Sequence, residues 1–588
     1  MASHHDHANL IWQIADLLRG PYRPPQYERV MLPMTVLRRF DCVLEATKNK
    51  VLAEHAKRKG GKLNDEALDQ FLNKAAGQRF HNHSPLDFQK LKGDPDNIDK
   101  HLVSYIKGFS ANVRTIFDYF EFENEIERMR EANILYLVVS KFADVDLHPN
   151  VVQNEDMGLI FENLIRRFNE LANETAGDHF TPREVIRLMV GLLFIHDDDL
   201  LATPGTVRKL LDPACGTGGM LAEAQNNLRD HHIAATLYTY GQDYNKRAFA
   251  TAASDMLMKE VAHKGAGGDV RFGDIFTEDR FAGEKFDYFL ANPPFGVDWK
   301  KQAKEIQRES DKLGFAGRFG AGLPRVNDGS LLFLQHMVSK FEPVLPNQHK
   351  HGSRLAIVFS GSPLFTGGAG SGESNIRKWI IENDWLEAVI ALPEQMFYNT
   401  GIGTYIWIVT NRKEKRRKGK IQLVDARDQY QAGGAEDNRR SLGDKRRHIT
   451  AKQIDGIVKL YGRFKEGETS KTFDNADFGY TRVTVERPLR DEDGNIVLDK
   501  TGKPKPDAKL RDCENIPLKE DIDKYFAREV LPHVPDAWME RAKDKLGYEI
   551  NFNRHFYKFT PPRELKEIDA EIELAEKEFM RLFKEATR

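Results

Sequence analysis

Between about residues 151 and 420, short β-rich runs alternate with helical ones, and this alternation restricts the fold more than any other feature of the chain. "VRKLLDPACGTGGMLAEAQNNL" reads as strand, glycine turn and helix, and "TLYTYGQDYNKRAFATAASDMLM" repeats that order. "VRFGDIF", "FDYFLANPPF", "RLAIVFSG", "LEAVIALP" and "TYIWIVTN" supply further strands. Strands alternating with helices imply an α/β fold with a doubly wound, mainly parallel sheet. In such a sheet, ligands bind beyond the carboxyl ends of the strands.

Several of these strands end in residues suited to a site. "FDYFLA" (Phe286 to Ala291) runs into Asn292-Pro293-Pro294-Phe295, and two successive prolines can continue neither a helix nor a central strand. A rigid elbow at the sheet edge nominates Asn292 and Phe295 as working groups; the plain alternative is a turn that follows a strand. In "LLDPACGTGG", Gly216, Gly218 and Gly219 permit a tight turn and close backbone approach by a ligand. No Gly-Lys-Ser/Thr follows, and the spacing is not G-x-G-x-x-G, so neither a P-loop nor a dinucleotide turn is indicated. Asp243 in "YGQDYN" closes the next strand, where a cofactor domain places a carboxylate for ribose hydroxyls; a helix-capping aspartate is the alternative. Asp274 in "FGDIF" can accept from an exocyclic amine such as adenine N6, or be an ordinary loop aspartate.

The flanks have a different character. Residues 1–150 read as a helical N-terminal domain, with Leu10, Ile11, Ile14, Leu17 and Leu18 at helix spacing. His4, His5 and His7 read as a solvated terminus rather than a metal site. Residues 421–559 form a variable, charged region with a hairpin around Asp493-Gly494. Residues 560–588 read as a helix opened by Thr560, Pro561 and Pro562. Its Leu565, Ile568, Ile572, Ala575, Phe579 and Leu582 fall at steps of three and four, an apolar seam that packs on its own domain or docks on a partner helix. The stretch between Val297 and Ser330 is either an active-site loop or disordered decoration.

The 588 residues allow about three or four domains. No apolar run approaches the roughly 18 residues of a membrane helix, and the N-terminus lacks a signal-peptide pattern. Cys42, Cys215 and Cys513 lie far apart, which fits a reducing, cytoplasmic setting without zinc. A formal charge of −2 means that DNA binding must rest on local patches or a partner.

Taken in order, "DPACGTGG", an acidic residue after the second strand, "GDIF" and "NPPF" resemble the amino-group class of S-adenosylmethionine-dependent methyltransferases. "GDHFTPREVIRLMV" (Gly177 to Val190) is similar to that family's methionine-side cofactor segment. "RLAIVFSGSPLFTGG", "IRKWIIENDWLEAVIALPEQMFYNTGI" and "FGYTRVTVERPLR" resemble, more narrowly, the modification (M) subunit of type I restriction–modification systems. The resemblance covers the helical N-terminal region, the central domain and parts of the C-terminal third. It implies a Rossmann-like methyltransferase domain over 151–420. S-adenosyl-L-methionine would be held there by Asp178, His179, Phe180, Thr181, Pro182, Arg183, Asp212, Gly216, Thr217, Gly218, Gly219, Asp243 and Asp274. Asn292, Pro293, Pro294 and Phe295 would be the catalytic tetrapeptide, with no metal. Asp243 departs from the Glu of many relatives, and the 297–330 and 490–510 stretches look longer or more variable than the family core.

The resemblance further implies double-stranded DNA as substrate and adenine N6 as the methylated atom. A separate specificity (S) subunit would read the DNA between two M subunits; whether a restriction (R) subunit joins them stays open. Two alternatives remain: a self-sufficient adenine-N6 methyltransferase whose region 411–560 reads DNA, and a non-catalytic cofactor-binding scaffold.

Overall fold

Helix-forming periodicity dominates the first 150 residues and strand–turn–helix units the middle, and the chain folds accordingly. The structure is a computed structural model that describes residues 14–59, 61, 63–152, 157, 160, 161, 164, 181–231, 235–260, 268–348, 350–397, 400–432, 446–557 and 564–586. Leu10, Ile11, the three N-terminal histidines, Asp178, His179, Phe180 and Thr560 to Pro562 lie outside the described residues.

In the N-terminal region, helix α1 (Glu28–Leu44) starts directly after a turn at Pro24–Gln26. Its Val30, Met31, Met34 and Leu37 fall at helix spacing and are all fully buried. Arg39 on the same helix is buried as well, and its Nη1 donates to the carbonyls of Leu147 (2.5 Å) and Val152 (2.9 Å). That guanidinium ties α1 to the segment leading out of the helical region.

Nine strands form the central sheet: β1 (Val207–Asp212), β2 (Thr236–Asp243), β3 (Gly268–Phe272), β4 (Tyr288–Ala291), β5 (Arg354–Ser360), β6 (Leu386–Ala391), β7 (Thr404–Thr410), β8 (Lys420–Asp425) and β9 (Ser470–Asp474). Their order is β9-β8-β6-β7-β5-β4-β1-β2-β3. The pairs β1–β2, β2–β3, β1–β4, β4–β5 and β6–β8 are parallel. Strand β7 runs antiparallel between β5 and β6, and β9 runs antiparallel to β8. The expected mainly parallel, doubly wound sheet is borne out, and β8 and β9 carry it past residue 420. Leu210, Tyr288, Leu290, Ala356, Val358 and Ile390 alternate along their strands onto one buried face. Helices α2 (Arg183–Phe194), α3 (Gly219–His231) and α6 (Ala451–Arg463) share that core. Helix α4 (Lys246–Glu260) gives Ala250 and Met258 to the core of the N-terminal helices, so that region packs directly on the sheet domain.

The stretch after the elbow is folded. It carries α5 (Ala303–Leu313), and its Trp299, Ile306 and Phe319 share a core with Ile275 and Phe276. Further on, Gly479–Glu486 pairs antiparallel with Asp512–Pro517, Trp538–Met539 and Lys545–Tyr548. The hairpin expected at Asp493-Gly494 is present: Arg490 bridges Ile496, and a second turn follows where Asp499 accepts from the Gly502 N–H.

The chain divides into a compact unit at residues 1–550 and a second at 551–588. The second unit carries α7 (Leu565–Ala586). Along it Leu565, Ile572, Ala575, Phe579 and Leu582 are exposed, while Ile568 is half-buried. No helix among the described residues is long and apolar enough to cross a membrane.

Candidate active site

The order of strands reverses between β1 and β4, and a crevice forms at such a switch point because the connections leave in opposite directions. Strand β1 ends in Asp212 and β4 in Ala291, the residue before the elbow. A cavity of about 340 Å³ lies at these ends, within the ~300–1,000 Å³ typical of small-ligand sites.

The glycine turn after β1 forms one wall. Gly216 (φ 52°) and Gly218 (φ 85°) adopt left-handed backbone that a side chain would strain. A Cβ on Gly218 would also come within 3.2 Å of the Ala252 Cβ on α4. Asp243 at the end of β2 grips this turn: its Oδ2 accepts from the Gly216 N–H and its Oδ1 from the Asn245 N–H, both at 2.8 Å. Asn245 rather than Asp243 caps α4, accepting from the N–H groups of Arg247 and Ala248. Asp212 is buried and accepts from the Ala214 N–H at 3.0 Å. Burial pushes its carboxyl up to about 8, and the Asp243 charge adds to the shift.

The elbow forms the opposite wall. Asn292 is 8% exposed, and its Nδ2 donates to Thr181 Oγ1 at 2.8 Å. Its Oδ1 is buried and has no hydrogen-bond partner among the described residues. A buried acceptor without a donor costs on the order of 1–3 kcal/mol, and a donor from a bound ligand would remove that cost. Asp274 lies between the walls, its Oδ1 accepting from the Phe276 N–H at 2.9 Å and its Oδ2 from Gln302 Nε2 at 2.6 Å.

Of the residues nominated from sequence, Thr181, Asp212, Gly216, Thr217, Gly219 and Asp243 line the cavity, and so do Asp274, Asn292 and Pro294. Pro182, Arg183, Gly218, Pro293 and Phe295 do not line it. Arg183 pairs with Glu223 on α3 at 3.4 Å. Phe295 packs edge-on against Phe397, with ring centroids 5.9 Å apart. Sequence reasoning missed Glu28, Arg29 and Leu32 of α1 together with Phe120, a wall supplied by the N-terminal helices. It also missed Trp299, Gln302 and Phe333, which arrive with the stretch after the elbow. None of these carries a local motif.

The donor set fits a nucleoside with a charged tail. Glycine backbone permits close approach, carboxylates at two strand ends can accept from hydroxyls and an amine, and Asn292, with its orphan amide oxygen, is among the lining residues. S-adenosylmethionine has these groups, so the site is compatible with it.

Comparison with known proteins agrees. Residues 152–495 match the family model for N-6 DNA methylases, and residues 7–142 match the model for the HsdM N-terminal domain. The methylase subunit of the type I restriction enzyme MjaIX from Methanocaldococcus jannaschii is 24% identical over 502 residues, covering 82% of each chain. The methylase subunit of the HindI enzyme from Haemophilus influenzae is 28% identical over 276 residues, covering 46% of this chain and 54% of that one. Among solved structures, the type I methyltransferase subunit from Streptococcus thermophilus superposes with a TM-score of 0.61 at 20% identity, over 81% of this chain and 97% of that one. A chain from a study of complex assembly in a type I system aligns over 100% of this chain and 98% of its own, with a TM-score of 0.52 at 16% identity. The resemblance to type I modification subunits is thus borne out, and the chain belongs to the N-6 DNA methylase family of methyltransferases.

Proposed function

We propose that this protein methylates N6 of an adenine flipped out of a specific DNA sequence, as the modification subunit of a type I restriction–modification system. The observation that carries the reading is the buried, partnerless Oδ1 of Asn292 beside a cavity that suits S-adenosylmethionine. The working parts are the helical region 1–150, the methyltransferase region 151–420, the charged region 421–559 and the tail helix at 560–588. The three cysteines are free thiols, in keeping with a cytoplasmic setting.

The amino nitrogen of adenine is a weak nucleophile because its lone pair is delocalised into the ring. Asn292 Oδ1 and the Pro293 carbonyl accept its two hydrogens and draw the nitrogen towards tetrahedral geometry. Proline suits that second acceptor, since its fixed φ holds the carbonyl's direction. The two oxygens would stabilise the positive charge growing on nitrogen as it takes the methyl group. S-adenosylmethionine supplies the methyl group from its sulfonium. Asp243, Asp274 and the glycine turn would hold it; Thr181 accepts from Asn292 Nδ2, which would leave the amide oxygen, not the nitrogen, for the base. Phe295 sits against Phe397 and offers a face on which a flipped base can stack.

Sequence reading falls to a separate specificity subunit between two modification subunits. A near-neutral charge and the exposed apolar seam of α7 support this division. The relatives it resembles are methylase subunits of type I enzymes, and one aligned chain comes from work on how such a system assembles.

The test is Asn292→Ala in the assembled complex. Methyl transfer should fall on the order of 10²-fold, the scale for one positioned group at a developing charge, while S-adenosylmethionine affinity stays near wild type. Transfer retained above about a tenth of wild type would remove Asn292 from the chemistry.

A further inference from the structure

The stretch between Val297 and Ser330 is built against one particular loop, the one that follows β3 and carries Asp274. Its base is closed by the Gly329 N–H donating to the Val297 carbonyl and the Trp299 N–H donating to the Val326 carbonyl, both at 3.0 Å. Trp299, Ile306 and Phe319 then bury themselves with Ile275 and Phe276, the two residues after Asp274.

Two polar side chains of this stretch reach the same loop. Arg318 donates to the Ile275 carbonyl (2.5 Å) and the Phe276 carbonyl (2.9 Å). Its own direction is set by Glu309, which takes two of its nitrogens at 3.0 and 2.6 Å. Gln302, at the edge of the cavity, donates through Nε2 to Asp274 Oδ2 at 2.6 Å. The backbone of the loop is held by Arg318 and its carboxylate by Gln302. A carboxylate is an acceptor only, and it recognises an amine only when its lone pairs point at it. Fixing both oxygens, one by the Phe276 N–H and one by Gln302, removes the rotation that would otherwise turn them away.

We propose that Gln302 is a positioning residue for cofactor recognition: it orients Asp274 so that the carboxylate meets the exocyclic amine of the cofactor's adenine, and the 297–330 stretch exists in part to deliver it. The inference rests on reading Asp274 as the adenine-recognising group. Gln302 acts on binding and not on the transfer step, because its amide nitrogen is directed at Asp274 and not at the elbow that carries Asn292. A glutamine whose amide served packing alone would not care which base the ligand carries.

The experiment uses the full chain and calorimetry with two probes: S-adenosylmethionine and the analogue whose adenine N6 amine is replaced by a carbonyl oxygen. Wild type should prefer the first. Gln302→Ala should weaken binding of S-adenosylmethionine on the order of tenfold, the scale for one hydrogen bond to a charged group, and leave the analogue nearly unchanged. In the assembled complex KM for S-adenosylmethionine should rise while kcat holds. Gln302→Glu keeps the shape, sets a like charge against Asp274 and should weaken binding further; it also serves if Gln302→Ala melts early. If both Gln302 variants keep wild-type affinity and base preference while Asp274→Asn loses them, the positioning role is wrong and the reading of Asp274 stands. If Asp274→Asn also keeps them, the reading of the adenine site fails and the proposal falls with it.

Discussion

The two ends of the central sheet bury polar groups in opposite ways. At the amino ends, Arg354 of β5 meets Glu387 of β6 at 2.8 Å, and Tyr461 of α6 bonds to both. Arg417 stands 3.9 Å from the same carboxylate. Burial alone would raise the Glu387 carboxyl, yet Arg354 and Arg417 hold it down to about 2. Nearby, Arg412 clasps Asp197 through two nitrogens at 2.6 Å, and the Tyr288 hydroxyl donates to that same Asp197. At the carboxyl ends, Asp212 is equally buried but forms no ion pair among the described residues, and burial drives its carboxyl up to about 8. Burial is the same; compensation differs. The compensated end pairs strands β5 and β6 through their charges, and the uncompensated end is the candidate site.

Three variants would break or sharpen that contrast. The largest effect should come from Glu387→Gln. It strands two buried guanidiniums, and breaking a buried pair in this way costs on the order of 3–5 kcal/mol. Urea unfolding should show the drop. Because its folded carboxyl lies below the ordinary 4.5, this contribution is present above pH 4.5 and fades as pH falls towards 2. A midpoint unchanged at pH 7 would mean the amino-end cluster is not structural.

Thr181→Val should have a smaller effect, at the other end. Removing the acceptor for Asn292 Nδ2 frees the amide to rotate, so kcat should fall by roughly fivefold, the worth of about 1 kcal/mol. Thr181→Ser should restore it, and S-adenosylmethionine affinity should not move. Were affinity to fall while kcat held, Thr181 would belong to the cofactor and not to Asn292.

The smallest effect at low pH should be that of Asp212→Asn on stability, and it should grow with pH. The folded carboxyl takes its proton at about 8 and the ordinary one at 3.8, so the folded state binds the extra proton between these values. Stability from this group is full below pH 4 and lost as pH rises towards 8. The variant should therefore melt with wild type at low pH and increasingly above it as pH rises. Parallel melting curves from pH 4 to 8 would show that Asp212 is not held protonated.

Much of this site was legible because its signals are local. A strand followed by a glycine turn and a helix, or by two prolines, is written in consecutive residues, and backbone sterics act over that range. The elbow, the turn at Gly216 and Gly218 and the strand-end positions of Asp243 and Asp274 follow from such patterns. Phe295 was nominated through the same run, yet its neighbour Phe397 is about a hundred residues away, and no spacing predicts the pair. Arg183, a cofactor contact by family resemblance, also pairs with Glu223 on a neighbouring helix, a partner that no local spacing gives.

The sequence by itself determined the α/β architecture, the helical N-terminal region and the rigid Asn292–Phe295 elbow at the end of β4, because periodicity and turn residues act along the chain. Only the tertiary structure decided which groups share the cavity. Glu28, Arg29 and Leu32 reach it from a different region, and Gln302 reaches Asp274 by folding back across 28 positions. It also decided which buried charges are compensated. Asp212 and Glu387 are both carboxylates in apolar strands, and what separates their behaviour is whether packing brings a guanidinium to within hydrogen-bond reach.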